Sequence, residues 1–186
     1  MPVLLLCGSG ADGAMVYEPV FSDFQMELDR SYSLAAAVHP ASAAGAGSVT
    51  FYLKDLANED LPVQVSTVPH PVARFSPPAD KALMIGAGAD ASQDLWDGLI
   101  DEVRVSRGLL AAADLIHQHP AATDRTMAWW SFEPASGPLA DSISGHSSLR
   151  LLSAAAAGAA TAVPKEQALA DFCQAMLSSS ALLYVE

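Results

Sequence analysis

From about Phe21 to Arg107 the chain alternates apolar and polar residues with a period of two, and Gly, Pro and Asp interrupt that alternation. Successive side chains leave a strand on opposite faces, so this is the pattern of half-buried antiparallel strands. Tyr32, Leu34, Ala36 and Val38 share one face of a first strand. A small-residue turn region, Pro40 to Gly47, follows. Beyond it Val49, Phe51 and Leu53 point one way while Thr50, Tyr52 and Lys54 point the other. Val63 to Val68, Ala82 to Ile85 and Leu99 to Val105 are further strand candidates. After Gly108 the period changes, and Leu109 to Ile116 reads as a short helix ending before Pro120. The β pattern returns at Ala128 to Glu133, where Trp130 and Phe132 alternate with Trp129 and Ser131, and again at Leu149 to Leu152.

A chain of 186 residues with 51% hydrophobic and 16% charged positions fits one compact domain plus an appendage. The formal charge of -12 repels nucleic-acid phosphates and anionic lipid, which sets aside nucleic-acid and polybasic membrane binding. The apolar run Val3 to Cys7 is too short for an export signal or a membrane span, and no stretch approaches the roughly 18 apolar residues that a spanning helix needs. Residues 1–20 remain unassigned by pattern. Residues 153–163 are an alanine-rich linker. In the tail, 164–186, Pro164 suits a first helical position, and Leu169, Phe172, Cys173, Met176 and Leu177 repeat at helical spacing. That helix has one apolar stripe and must pack against something. The two cysteines, Cys7 and Cys173, lack Cys-x-x-Cys spacing; they read as free thiols, with a mutual disulfide left open.

The stretch DGLIDEVRVSRG, Asp97 to Gly108, with the short helix after it, resembles the end of a LamG-like domain of the concanavalin A lectin and glucanase superfamily. SVTFYLKD, Ser48 to Asp55, is similar to a strand of such domains that leads into a turn. WWSFEPASGPLADSISGHSSLRL, Trp129 to Leu151, resembles their opening pattern, an aromatic strand followed by an Asp-Ser-x-Gly turn. The opening pattern here follows the closing one. That order, with the tail ALADFCQAMLSSSALLYVE, is similar to the C-terminal part of planctomycete multidomain proteins that carry a cytochrome-c-like haem segment and a LamG-like insert. Gln174 stands where that tail usually has His, and Ser180, Ala181 and Leu182 replace its Asn-Glu-Phe stretch.

The resemblance implies a mainly β fold: an antiparallel jelly-roll sandwich over residues 21–152, with a short helix after the closing strand and a C-terminal helix. The sandwich would be incomplete unless residues 128–152 return beside the closing strand, burying Trp130 and Phe132. The resemblance also implies a piece of a longer protein and an extracytoplasmic location.

Glycoside hydrolysis needs two carboxylates about 5 to 9.5 Å apart across a cleft. Asp101 and Glu102 form the dense carboxylate pair on an expected strand, but adjacency sends them to opposite faces. Asp101 is expected to hold loop amides and Glu102 to pair with Arg104, so no enzyme is expected. Calcium is the one candidate cofactor, through Asp90, Asp94 and Asp97 in one loop, with Asp55, Glu59 and Asp60 in a second. Solvated acidic loops are the preferred reading of both. His117 and His119 lack further donors at metal-site spacing, and Ser142, Ser144 and His146 lack a nucleophile elbow. Binding is the leading class: a non-catalytic recognition module for carbohydrate or a protein partner, with Tyr52, Trp96 and Trp129 as candidate contact residues. The second reading is a structural spacer that packs against other domains of a larger protein.

Overall fold

The computed structural model describes residues 1–58, 60–76, 85–86, 96, 98–116, 122–132, 141–143 and 149. The protein is mainly β, its sheets are antiparallel where their register is defined, and among the described residues its one helix has four residues. The chain divides into two compact units. Of the described elements, the first unit holds six strands and the helix.

Residues 1–20, unassigned by pattern, form a hairpin of β1 (Val3–Ser9) and β2 (Met15–Phe21). Gly13 donates its N–H to the Gly10 carbonyl at 3.0 Å, the Asp12 carboxylate accepts the Ala14 N–H at 3.0 Å, and Gly13 takes φ +81°. A left-handed residue closing a tight turn is the natural place for glycine. At the open end Ser22 donates both its N–H and its hydroxyl to the Pro2 carbonyl. The short β6 (Arg74–Phe75) pairs with β1 at Gly8 and Ser9.

The second sheet of this unit is β3 (Tyr32–His39), β4 (Gly47–Asp55) and β5 (Gln64–His70), with β4 central. All three lie close to their expected positions. β5 runs through Pro69, beyond the expected end at Val68, because an edge strand tolerates a proline whose nitrogen faces outward. Leu4, Leu6 and Val20 of the first sheet join Val38, Val49, Phe51 and Leu53 of the second in one buried cluster, with Phe24 and Val72. Burying each such side chain contributes roughly 1.5 to 3 kcal/mol. Gly47 is required where it stands, since a Cβ there would lie 2.5 Å from the His39 carbonyl oxygen and 2.5 Å from the His70 ring.

The helix α1 (Ala112–Leu115) is shorter than the expected Leu109 to Ile116. Ala111 offers no side-chain cap, and the Leu109 carbonyl is already occupied by the Arg125 guanidinium at 3.0 Å. None of the described helical residues forms a span long and apolar enough to cross a membrane.

In the second unit β7 (Val103–Ser106), whose last residue falls in the first, pairs with β8 (Thr126–Trp130). The closing strand starts four residues later than expected because Glu102 has φ 57°, which breaks extended backbone. Its N–H is held by the Asp101 carboxylate at 3.0 Å, one of the loop amides expected of Asp101. Trp130 is buried, and half-buried Phe132 packs with Trp96, Val103 and Leu149 around Ile100. Ala82 to Met84, Arg150 to Leu152 and the tail lie outside the described residues.

Candidate functional site

Register decides what β4 shows to solvent. Tyr52 stands opposite Ala35 of β3 and Val65 of β5; Thr50 stands opposite Ala37 and Thr67. The odd positions of β4 are buried, so Ser48, Thr50, Tyr52 and Lys54 line the outward face, each half-buried. A methyl group at Ala35 is too small to cover a phenol ring beside it. Thr50 and Thr67 share a hydrogen bond between hydroxyls at 3.0 Å, leaving lone pairs turned outward. The Lys54 ammonium donates to the Leu61 and Asn58 carbonyls, so it is folded toward the loop that joins β4 to β5. The surface around Tyr52 is therefore small, hydroxyl-bearing and uncharged.

The inward end of the same strand carries ionic groups that hold the fold. Asp55 is buried, accepts the Ala57 N–H at 2.8 Å, and lies 3.3 Å from the Arg30 guanidinium, which Glu27 also reaches at 3.0 Å. Asp55 first, and Glu27 second, raise the affinity of Arg30 for its proton. An aspartate committed in this way is a poor calcium ligand. At the other end of the sheet His70 is buried and its Nδ1 accepts the Val72 N–H at 3.1 Å, which leaves the proton on Nε2. Nε2 is buried without a hydrogen-bond partner among the described residues. Burial lowers the pKa of His70; the backbone of His39 and Ser48 acts in the opposite direction without reaching hydrogen-bond geometry.

The two tryptophans expected as contact residues, Trp96 and Trp129, are differently placed. Trp129 faces outward on β8, but its indole N–H donates to the Glu102 carboxylate, and its backbone N–H donates to Asp141 at 3.1 Å. Trp96 packs against Ile100, and its indole nitrogen is buried. Asp141, the aspartate of the Asp-Ser turn, is buried and also accepts the Ile143 N–H at 3.0 Å, while Ser142 donates its N–H to the Trp129 carbonyl. Its carboxylate thus pins the Asp-Ser turn to the aromatic strand. The turn motif was visible in the sequence; its anchoring to Trp129 depends on a separation of 12 residues and was not.

Asp90, Asp94 and Asp97 lie outside the described residues, as do Glu59, His117, His119, His146 and Cys173. Among the described residues no three His, Cys, Asp or Glu side chains converge as a metal site. Cys7 is a free thiol. A shallow cleft beside α1 is lined by Leu109, Asp114, Asp124 and Arg125, with Arg125 already engaged. The chain matches no protein-family model, no curated protein and no solved structure.

Proposed function

We propose that the protein is a non-catalytic recognition module that binds carbohydrate on the outward face of β3, β4 and β5, with Tyr52 as the stacking platform. One observation carries this reading: an outward tyrosine on the central strand is bordered by Ala35, Val65 and a Thr50–Thr67 hydroxyl pair, with the nearest cation turned away. Sugar rings offer an apolar face for an aromatic ring and neutral hydroxyls around their rim, so an uncharged face of this kind complements them better than it complements an anion or a cation. Two antiparallel sheets around a shared core support the finer reading of a LamG-like jelly-roll sandwich. The carboxylates Asp101 and Glu102 are taken up by a backbone amide and by Trp129, which favours a binding role over hydrolysis.

A glycan array followed by calorimetry tests the proposal. The expected result is binding to a neutral glycan that Tyr52→Ala abolishes and Tyr17→Ala, on the other sheet, leaves unchanged. Absence of binding to any glycan, or binding indifferent to Tyr52, overturns it. The spacer reading draws on a different feature, the exposed apolar surface of β1 and β2.

A further inference from the structure

The outward face of the β1–β2 hairpin is apolar along its length. Val3, Leu5 and Cys7 on β1 stand opposite Phe21, Pro19 and Tyr17 on β2, and Ser9 stands opposite Met15. Tyr17 is 64% and Phe21 51% exposed, and Val3, Leu5 and Met15 are exposed beside them. Arg74 of β6, opposite Ser9, places its charge at the margin of this face, and Glu18, the one acid of the two strands, shares the parity of the inward residues. Ser22 donates to Pro2 and Gly10 to Ala14, so the hydrogen-bonded pairs are the even-numbered ones. Pro19 therefore turns its nitrogen to the outer edge of β2, where it offers no donor. A strand added at that edge would meet a gap in its ladder. The contact this surface favours is face to face.

We infer that this face is covered by the same face of a second copy of the chain, in a two-fold dimer. The exposed fractions leave about 500 Å² of apolar side chain on each copy, so two copies bury about 1,000 Å² together, the size at which specific interfaces begin. Side-chain size decides how they pair. β2 carries the bulky Met15, Tyr17 and Phe21, and β1 carries the smaller Ser9, Cys7 and Val3 opposite them. A two-fold axis along the strands lays β2 of one copy over β1 of the other at the same level, and such an isologous contact makes every pairing twice. Tyr17 then lies over Cys7 of the second copy, Phe21 over its Val3, Met15 over its Ser9, and Leu5 over its Pro19. Large side chains fill the space above small ones, which holds the sheets near their usual separation of about 10 Å along the whole strip. An axis across the strands would stack the bulky strands on each other and leave the β1 side open. The formal charge of -12 on each copy opposes association from a distance, and salt screens that repulsion beyond about 8 Å at physiological ionic strength.

Sedimentation equilibrium of the full chain at about 0.15 M salt, paired with thiol labelling, tests the inference. The expected result is a reversible dimer that fills in the micromolar range, about where an interface at the small end of the specific class falls. In the Cys173→Ser chain Cys7 is the one thiol, and its rate with a maleimide should fall by about an order of magnitude as the dimer fills, because Tyr17 of the second copy covers it. Tyr17→Asp should raise the dissociation constant at least about tenfold and restore the labelling rate. Leu28→Asp adds the same charge at a residue 91% exposed elsewhere and should leave both unchanged. A chain that stays monomeric up to about 100 μM overturns the inference and leaves the face to a different partner. A dimer in which Cys7 labels at the monomer rate, or one indifferent to Tyr17→Asp, overturns it as well, since the contact then lies elsewhere.

Discussion

On β1 and β2 the outward positions include the exposed Val3, Leu5, Met15, Tyr17 and Phe21; on β4 they are Ser48, Thr50, Tyr52 and Lys54. Leu4, Leu6 and Val20 of the first sheet and Val38, Val49, Phe51 and Leu53 of the second meet in one core, while Glu18, Asp55 and His70 also occupy inward positions. Alternation guarantees a single apolar face per strand and leaves the chemistry of the other face free. The first sheet uses that freedom for an exposed apolar surface, the second for a face of hydroxyls, a phenol and an ammonium.

The largest effect expected is common to both sheets. Leu6→Ala and Leu53→Ala each remove a buried side chain from the shared core and should lower stability by about 2 to 5 kcal/mol, measured by urea unfolding. A large loss in one sheet and none in the other would break the idea of one core. Next, Asp55→Ala leaves the Ala57 N–H without its acceptor and Arg30 without its buried partner and should cost about 1 to 3 kcal/mol, whereas Glu27→Ala, which removes only the exposed partner of Arg30, should change stability far less.

The third prediction concerns His70, whose pKa burial lowers. Below its ordinary value, about 6.5, the unfolded chain binds a proton that the folded ring does not, so stability rises with pH in that window. Stability is expected to be level above about pH 6.5 and to decline below it by up to about 1.4 kcal/mol per pH unit until the folded ring titrates. Urea midpoints across this range, compared between the native chain and His70→Gln, check it; equal slopes refute it. The smallest effect sharpens the contrast between the outward faces. Thr67→Val removes the hydroxyl bonded to Thr50 on an exposed surface and should change stability by less than about 1 kcal/mol while weakening glycan binding measurably.

Much of the second sheet was legible because Tyr32 to Val38 and Val49 to Lys54 alternate cleanly. The hairpin of residues 3–21 escaped because Val3 to Cys7 is continuously apolar, a run that gives no period. The turn signal was present in Gly10, Asp12 and Gly13, and Val16, Glu18 and Val20 do alternate with Tyr17, Pro19 and Phe21. Leu99 to Glu102 erred in the other direction, since it alternates and yet is not strand. A left-handed Glu102 is held there by Asp101 beside it and by Trp129 from 27 residues away.

The sequence alone determined the mainly β character, the inward apolar positions of β3 and β4, and a net acidic charge. These follow from local covalent geometry and from composition, which need no partner strand. Only the tertiary structure decided that Ala35 and Val65 stand beside Tyr52, that Arg30 meets Asp55, and that Asp141 pins Trp129. Each depends on register between distant segments, where a slip of one residue would reverse every face while leaving the alternation of each strand unchanged.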